Sequence, residues 1–167
     1  MKKFIIECPV PKDQQPINEY SNLKTSIFFL WTTKDLNTYI KGTIFLVTCS
    51  YLLVLALVIS STPQIEKIQP VEVINYINVF GNLLLNLYFI RLYLGWTYIY
   101  ERLIKASISY EESGWYDGQV WVKTPNVLIQ DKLVAEYQIA PVLNRLKLTI
   151  TGLTLLVTLG VIHLCLQ

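Results

Sequence analysis

Between Tyr110 and Pro125 the chain reads YEESGWYDGQVWVKTP, which sets the carboxylates of Glu111, Glu112 and Asp117 beside the rings of Tyr110, Trp115, Tyr116 and Trp121. Carboxylates this close could hold a hard cation through their oxygens, or divide acid and base work between them. Neither chemistry finds its remaining parts. Neighbouring strand residues face opposite ways, so Glu111 turns from Glu112, and no histidine or cysteine lies nearby to complete a ligand set. No nucleophile accompanies the carboxylates, so no catalytic residue, metal ligand or cofactor is assigned. His163, the only histidine, could ligate a tetrapyrrole metal, but a lone imidazole near a helix end is better read as an interfacial residue. Cys8, Cys49 and Cys165 make no CxxC and no metal-ligand spacing.

The same stretch reads more simply as a β-hairpin. Asp117-Gly118 is a strong signal for a two-residue turn in which both residues take positive φ. The register that follows sets Trp115 against Val120, Gly114 against Trp121, Ser113 against Val122 and Glu112 against an exposed Lys123. A β-branched residue at position 118 would then unfold the turn. A lone hairpin is marginal in water, so its rings need a surface, and Tyr110, Trp115, Tyr116 and Trp121 are the candidate residues for docking a partner.

The elements that must position this hairpin are apolar helices. The chain has 167 residues, 53% of them hydrophobic and 16% charged, with a mean hydropathy of +0.41, too apolar for an ordinary soluble domain. The expected fold is a mainly α membrane protein with three transmembrane helices, residues 42–61, 73–98 and 148–167, and a stromal segment containing the hairpin and an amphipathic helix. Residues 1–41 form the N-terminal segment, 62–72 a short lumenal loop, and 99–147 the hairpin and a further helix. Lys and Arg concentrate in 1–41 and 99–147, whereas the short loop holds only Lys67, so the first two segments share the side of synthesis. No cleavable targeting peptide is expected, and a net charge of +2 gives no reason to expect a nucleic-acid partner.

Three further patterns carry meaning. Asn75, Asn78, Asn82 and Asn86 recur at helical spacing within an arc of about 80°, continued by Tyr93, a polar intramembrane face that must meet another helix, a partner, a ligand or water. Inter-helix hydrogen bonding is the preferred reading, and Arg91 on the opposite side is read as snorkelling to the headgroups. Thr151, Thr154 and Thr158, flanked by Gly152 and Gly160, look suited to close packing. Asn18 is expected to cap an N-terminal helix with an apolar stripe of Leu23, Ile27, Leu30 and Trp31, and Thr124-Pro125 to start a helix whose stripe is Leu128, Ile129, Leu133, Val134 and Tyr137. Asp131 falls on the solvated face of that helix, and Pro141 should end or kink it.

CPVPKDQQPINEYSNLKTSIFFLW, RLYLGWTYIYERL, YEESGWYDGQVWVKTP and VLIQDKLVAEYQIAPVLNRLK, in this order, resemble the hypothetical chloroplast reading-frame family of algal plastids and cyanobacteria, whose plant relatives are named for conservation in the green lineage and diatoms. The resemblance covers about half the chain and brings no known reaction. It implies a multi-pass protein of a plastid membrane, thylakoid above inner envelope, and in such a membrane the Lys and Arg distribution makes the N-terminus stromal. The function expected is a non-enzymatic accessory role in assembly, maintenance or acclimation of photosynthetic complexes, with membrane lipids and such a complex as partners. Binding of a pigment, lipid or metal is the alternative, and a carboxylate-dependent membrane enzyme the third reading.

Overall fold

The computed structural model describes residues 8–61, 70–111 and 118–166. These are mostly helical: α1 (Pro16–Thr25), α2 (Ile27–Leu30), α3 (Leu36–Ser61), α4 (Pro70–Ile104), α5 (Pro125–Val134) and α6 (Ala140–Leu166), with strands β1 (Ser107–Glu111) and β2 (Gly118–Val122) between α4 and α5. The stretches Leu36–Ser60, Val71–Ile104 and Pro125–Leu166 are long and apolar enough to cross a membrane. All three helices run beyond the apolar windows 42–61, 73–98 and 148–167, because a helix persists past the segment that hydropathy marks.

Helix α4 is the centre, packed by α6, α3, α1 and α5. Its buried seam runs Asn75, Val79, Asn82, Asn86, Phe89, Leu92, Trp96, Ile99 and Leu103, every step three or four residues. Against the upper half lie Ile139, Val142, Leu143 and Leu146 of the α6 side, together with Tyr20 and Phe29. Trp96 is wholly buried, with the rings of Tyr20 and Phe29 centred 6.2 and 6.1 Å away. Its indole N–H donates to Thr32 Oγ1 at 3.0 Å, and Thr32 donates on to the Phe29 carbonyl. A buried indole keeps its polar handle satisfied in this way.

The N-terminal helix differs from its expected form. It starts at Pro16, in the first-turn position proline favours, and the Asn18 amide serves the preceding turn by donating to the Lys12 carbonyl at 2.8 Å. Ser26, with ψ of 134°, breaks the helix and divides the expected stripe between two elements. Leu23 packs on the core, whereas Ile27, Phe28 and Leu30 point outward and Phe29 takes the buried position.

Pro141 does not end its helix. Residues Ala135–Ile139 form a π turn, with the Ala140 N–H bonded to the Ala135 carbonyl, and α6 continues through the proline. Proline removes one helical donor and crowds the carbonyl four residues back, and the wider turn relieves both defects. Pro125 begins α5 as expected, but Thr124 makes no side-chain cap. The α5 face is also rotated: Ile129, Leu133 and Tyr137 are exposed, and Asp131 is the buried residue.

The hairpin exists in another register. Ser107 pairs with Val122, Ile108 with Trp121, Ser109 with Val120, Tyr110 with Gln119 and Glu111 with Gly118, so residues 112–117, outside the described residues, lie between the strands. The pairs expected for Trp115, Gly114, Ser113 and Glu112 are thereby replaced. Gly118 is the first residue of β2, its φ is not left-handed, and a Cβ there would meet nothing within 4 Å. Long-range ties hold this register against the local turn signal. The Gln14 amide donates to the Glu111 carbonyl and accepts from the Glu111 N–H, both at 2.9 Å, along the outer edge of β1.

Lys123 closes the unit. Instead of facing Glu112 in solvent, its ammonium is buried, donating to the carbonyls of Arg102 and Leu103 at 3.0 and 2.9 Å and to Asp131 Oδ2 at 2.7 Å. The first two are end carbonyls of α4, where a cation also favours the helix dipole. Lys123→Met should lower stability by about 3–5 kcal/mol, because Asp131 stays buried without its cation, and Lys123→Met with Asp131→Leu should recover most of the loss. Thermal unfolding of the purified protein in detergent checks both. Gly118→Val, read by the same method, should change stability by less than about 0.5 kcal/mol.

Candidate functional site

Two regions could act on something outside the fold: the amide-rich lower seam of α4, and the head formed by α1, the hairpin and α5. In the seam, Asn75 Nδ2 lies 2.8 Å from His163 Nδ1 on α6. Asn82 donates to Asn78 Oδ1, and the Tyr51 hydroxyl of α3 donates to Asn82 Oδ1 at 3.2 Å and to Asn78 Oδ1 at 3.4 Å. Three of the four amides thus join α4 to its two long neighbours. Asn86 keeps a buried Oδ1 without a partner among the described residues. Tyr93 continues the stripe, with Lys147 Nζ 5.9 Å from its ring centre. His163 spends Nδ1 on Asn75, so as a ligand it would have only Nε2 to offer.

Glycine sets the helix spacing here. A Cβ built on Gly81 would lie 2.4 Å from the Tyr51 ring, and one on Gly160 would lie 2.6 Å from Val79. Thr151, Thr154 and Thr158 take no part in that contact. All three are exposed and return their hydroxyls to carbonyls of their own helix, and a Cβ on Gly152 would meet nothing within 4 Å. Of the expected small-residue surface, only Gly160 packs closely.

In the head, Tyr110 is buried and donates its hydroxyl across the hairpin to Gln119 Oε1 at 2.7 Å. Trp121 is half-buried and lines a cleft with Pro16, Ile17, Val127 and Asp131. These two rings turn into the fold, and Trp115 and Tyr116 lie outside the described residues. Exposed apolar groups include Val120 and Val122 on β2, Val127, Ile129 and Leu133 on α5, and Tyr137 in the π turn that follows it. Glu111 gives its backbone to Gln14, and Glu112 and Asp117 lie outside the described residues. Among the described residues no three His, Cys, Asp or Glu side chains converge as a metal site would need.

Sequence reasoning missed the ion pairs. Arg102 meets Glu19 Oε1 at 2.5 Å and donates to the Gln14 carbonyl at 3.0 Å and the Tyr98 hydroxyl at 2.9 Å. Burial pushes the Glu19 carboxyl above its ordinary pKa, and Arg102 opposes that shift. A carboxylate on α1 and a guanidinium near the α4 terminus offer no spacing rule to connect them. The asparagine spacing was the signal for the seam, but Tyr51, in a run that also holds Thr48 and Ser50, carried nothing to mark it as the partner.

Residues 8–152 match the CGLD27-like family, described as conserved in the green lineage and diatoms. The uncharacterized protein ycf36 of Cyanophora paradoxa is 45% identical over 156 residues, covering 90% of this chain and 97% of that protein. The ycf36 protein of Pyropia yezoensis is 40% identical over 158 residues, covering 95% and 94%. A chloroplastic protein of Arabidopsis thaliana, named for the same conservation, is 40% identical over 148 residues, which are 87% of this chain but 44% of that longer protein. No solved structure matches.

The seam makes a direct prediction. Gly81→Ala forces the Tyr51 ring aside and should lower stability by about 1–3 kcal/mol, while Gly152→Ala should leave it unchanged. Tyr51→Phe removes only the hydroxyl and should cost about 0.6 kcal/mol. Melting curves of the variants in one detergent give the ranking.

Proposed function

The chain belongs to the CGLD27-like family, and we propose that it is a multi-pass plastid-membrane protein whose head serves as a non-enzymatic docking module for a complex of the photosynthetic apparatus. The distribution of surface chemistry carries this reading. Around α3 the large side chains Ile44, Phe45, Leu52, Leu53, Leu57 and Ile59 are all exposed, an arrangement that is costly in water and natural in hydrocarbon. At one end of these apolar surfaces Lys34, Lys41, Arg91, Arg145 and Lys147 form a belt. Contacts set their common level: Arg145 donates to the Lys34 carbonyl, Lys147 covers Tyr93 two residues beyond Arg91, and Trp31 meets Phe89 edge-on and lies against Gly42, next to Lys41. Basic residues at span ends are retained on the side of synthesis, which favours a stromal head and an opposite end near Cys165. The thylakoid is our preferred membrane.

A docking role draws support from the α5 row. Ile129, Leu133 and Tyr137 recur every four residues on one helix face, and Tyr137 is 75% exposed. At 1.5 Å per residue, Ile129 stands on the order of 25 Å above the Arg145 level, beyond the reach of headgroups. Two acidic side chains of the head pair with cations inside the fold, Glu19 with Arg102 and Asp131 with Lys123.

Two experiments test the reading. Single-cysteine variants in sealed, right-side-out thylakoids should react with a membrane-impermeant thiol reagent at Cys8 and not at Cys165, both of which are exposed in the structure. Labelling of Cys165 with Cys8 reactive only after detergent would reverse the topology. For docking, Leu133→Ser with Tyr137→Ala should leave the protein level unchanged and reduce recovery of photosynthetic subunits by at least about fivefold, as loss of a contact worth over 1 kcal/mol implies. Undiminished recovery would remove α5 from the interface.

A further inference from the structure

Arg91 is exposed and makes no hydrogen bond or ion pair among the described residues, and it lines a cavity on the outer side of α4. This cavity, about 520 Å³, lies between α1–α2 and α4 and is bordered by Glu19, Asn22, Ser26, Phe29, Arg91 and Gly95. Gly95 shapes its floor: a Cβ there would fall 2.8 Å from Phe29 Cε1 and 3.6 Å from Arg91 Nη1, so the missing side chain leaves room for ring and guanidinium together. The Glu19 carboxylate has two unequal oxygens. Oε1 takes Arg102, and Oε2 is buried with no donor. The cavity is therefore lined by an exposed cation without an acceptor and by a carboxylate, 18% exposed, whose buried second oxygen lacks a donor, both among the described residues.

Its surroundings are equally specific. Ile27, Phe28 and Leu94 stand outward beside it, 86%, 66% and 57% exposed, and the basic belt places Arg91 at headgroup level. Resting on the membrane reading given above, we propose that this cavity binds the headgroup of an anionic diacyl lipid that also carries free hydroxyls. Phosphate or sulfonate oxygens accept from Arg91, a headgroup hydroxyl donates toward Glu19, and the acyl chains leave along the apolar side of Phe28 and Leu94. Each missing partner is supplied by one molecule. An Arg91 that merely snorkels would take any phosphate oxygen and show no preference for hydroxyls.

The test uses the full chain in mild detergent, mixed with equal amounts of phosphatidylglycerol, phosphatidylmethanol and phosphatidylcholine, with native mass spectrometry recording which lipid stays bound. Phosphatidylglycerol should be retained over both others, since phosphatidylmethanol has the phosphodiester without hydroxyls and phosphatidylcholine has no net charge. Arg91→Gln should reduce that retention roughly tenfold, the size expected when a charged hydrogen bond is lost, while Arg91→Lys keeps part of it and Lys41→Gln all of it. Equal retention of the three lipids, or an Arg91→Gln protein that keeps phosphatidylglycerol, overturns the site. Free glycerol 3-phosphate that displaces the lipid at equal concentration overturns its assignment to a lipid. Flotation with vesicles is recorded in parallel: a chain that fails to float loses the membrane reading as well, whereas a floating chain without lipid preference loses only this inference.

Discussion

A buried ammonium with three acceptors organises one end of the molecule. Lys123 must place its three donors within a volume closed to water, and it finds two end carbonyls of α4 and the carboxylate of Asp131. That requirement joins three elements distant in sequence: the last turn of α4, the end of β2 and the middle of α5. Because Thr124 and Pro125 follow Lys123 directly, fixing the lysine also fixes where α5 begins and makes it return antiparallel to α4. The remaining contacts keep that alignment, with α4 packing on the π turn and on α6 and Asn75 reaching His163. Desolvating both charges is expensive, so the pair contributes direction more than net stability.

The seam of α4 changes character along its length. Its lower half buries amides beneath an aliphatic exterior, and its upper half buries Phe89, Leu92, Trp96 and Leu103. In hydrocarbon, apolar packing gives no advantage over lipid contact, and hydrogen bonds and close backbone approach must hold helices together. Where water returns, burial of rings and aliphatic groups takes over. The inversion occurs between Asn86 and Phe89, beside the Lys34, Arg145 and Lys147 belt, which is where the membrane reading proposed above sets the change of solvent.

The parts legible in the sequence were those governed by local chemistry. Three long apolar helices followed from long apolar runs, the helix start at Pro125 from proline's missing N–H, and the existence of a hairpin from the Asp117-Gly118 turn signal. Its register was not legible from Asp117-Gly118, although Ser-Ile-Ser-Tyr-Glu at 107–111 alternates as a half-buried strand should, with Ile108 and Tyr110 inside. A turn propensity was outweighed by Gln14 and Lys123, whose partners no spacing rule finds. Asp131 was placed in solvent for the same reason: polarity predicts exposure unless a counterion is known. Asn75, Asn78 and Asn82 could be read as needing partners, but Tyr51 and His163 could be named only once the helices were placed side by side.

The anchors of α1 lie far along the chain, with Glu19 waiting for Arg102, Gln14 for Glu111 and Tyr20 for Gln138, separations of 83, 97 and 118 residues. Translation delivers them in the opposite order from their use. At typical elongation rates, α1 and α2 spend on the order of ten seconds outside the ribosome before Gln138 exists. On the membrane reading proposed above, Ile27 and Phe28 rest on the bilayer surface during that interval. The first segment made is thus among the last to be docked, and a chain truncated before α5 would leave it as a loose amphipathic arm for quality-control proteases to find.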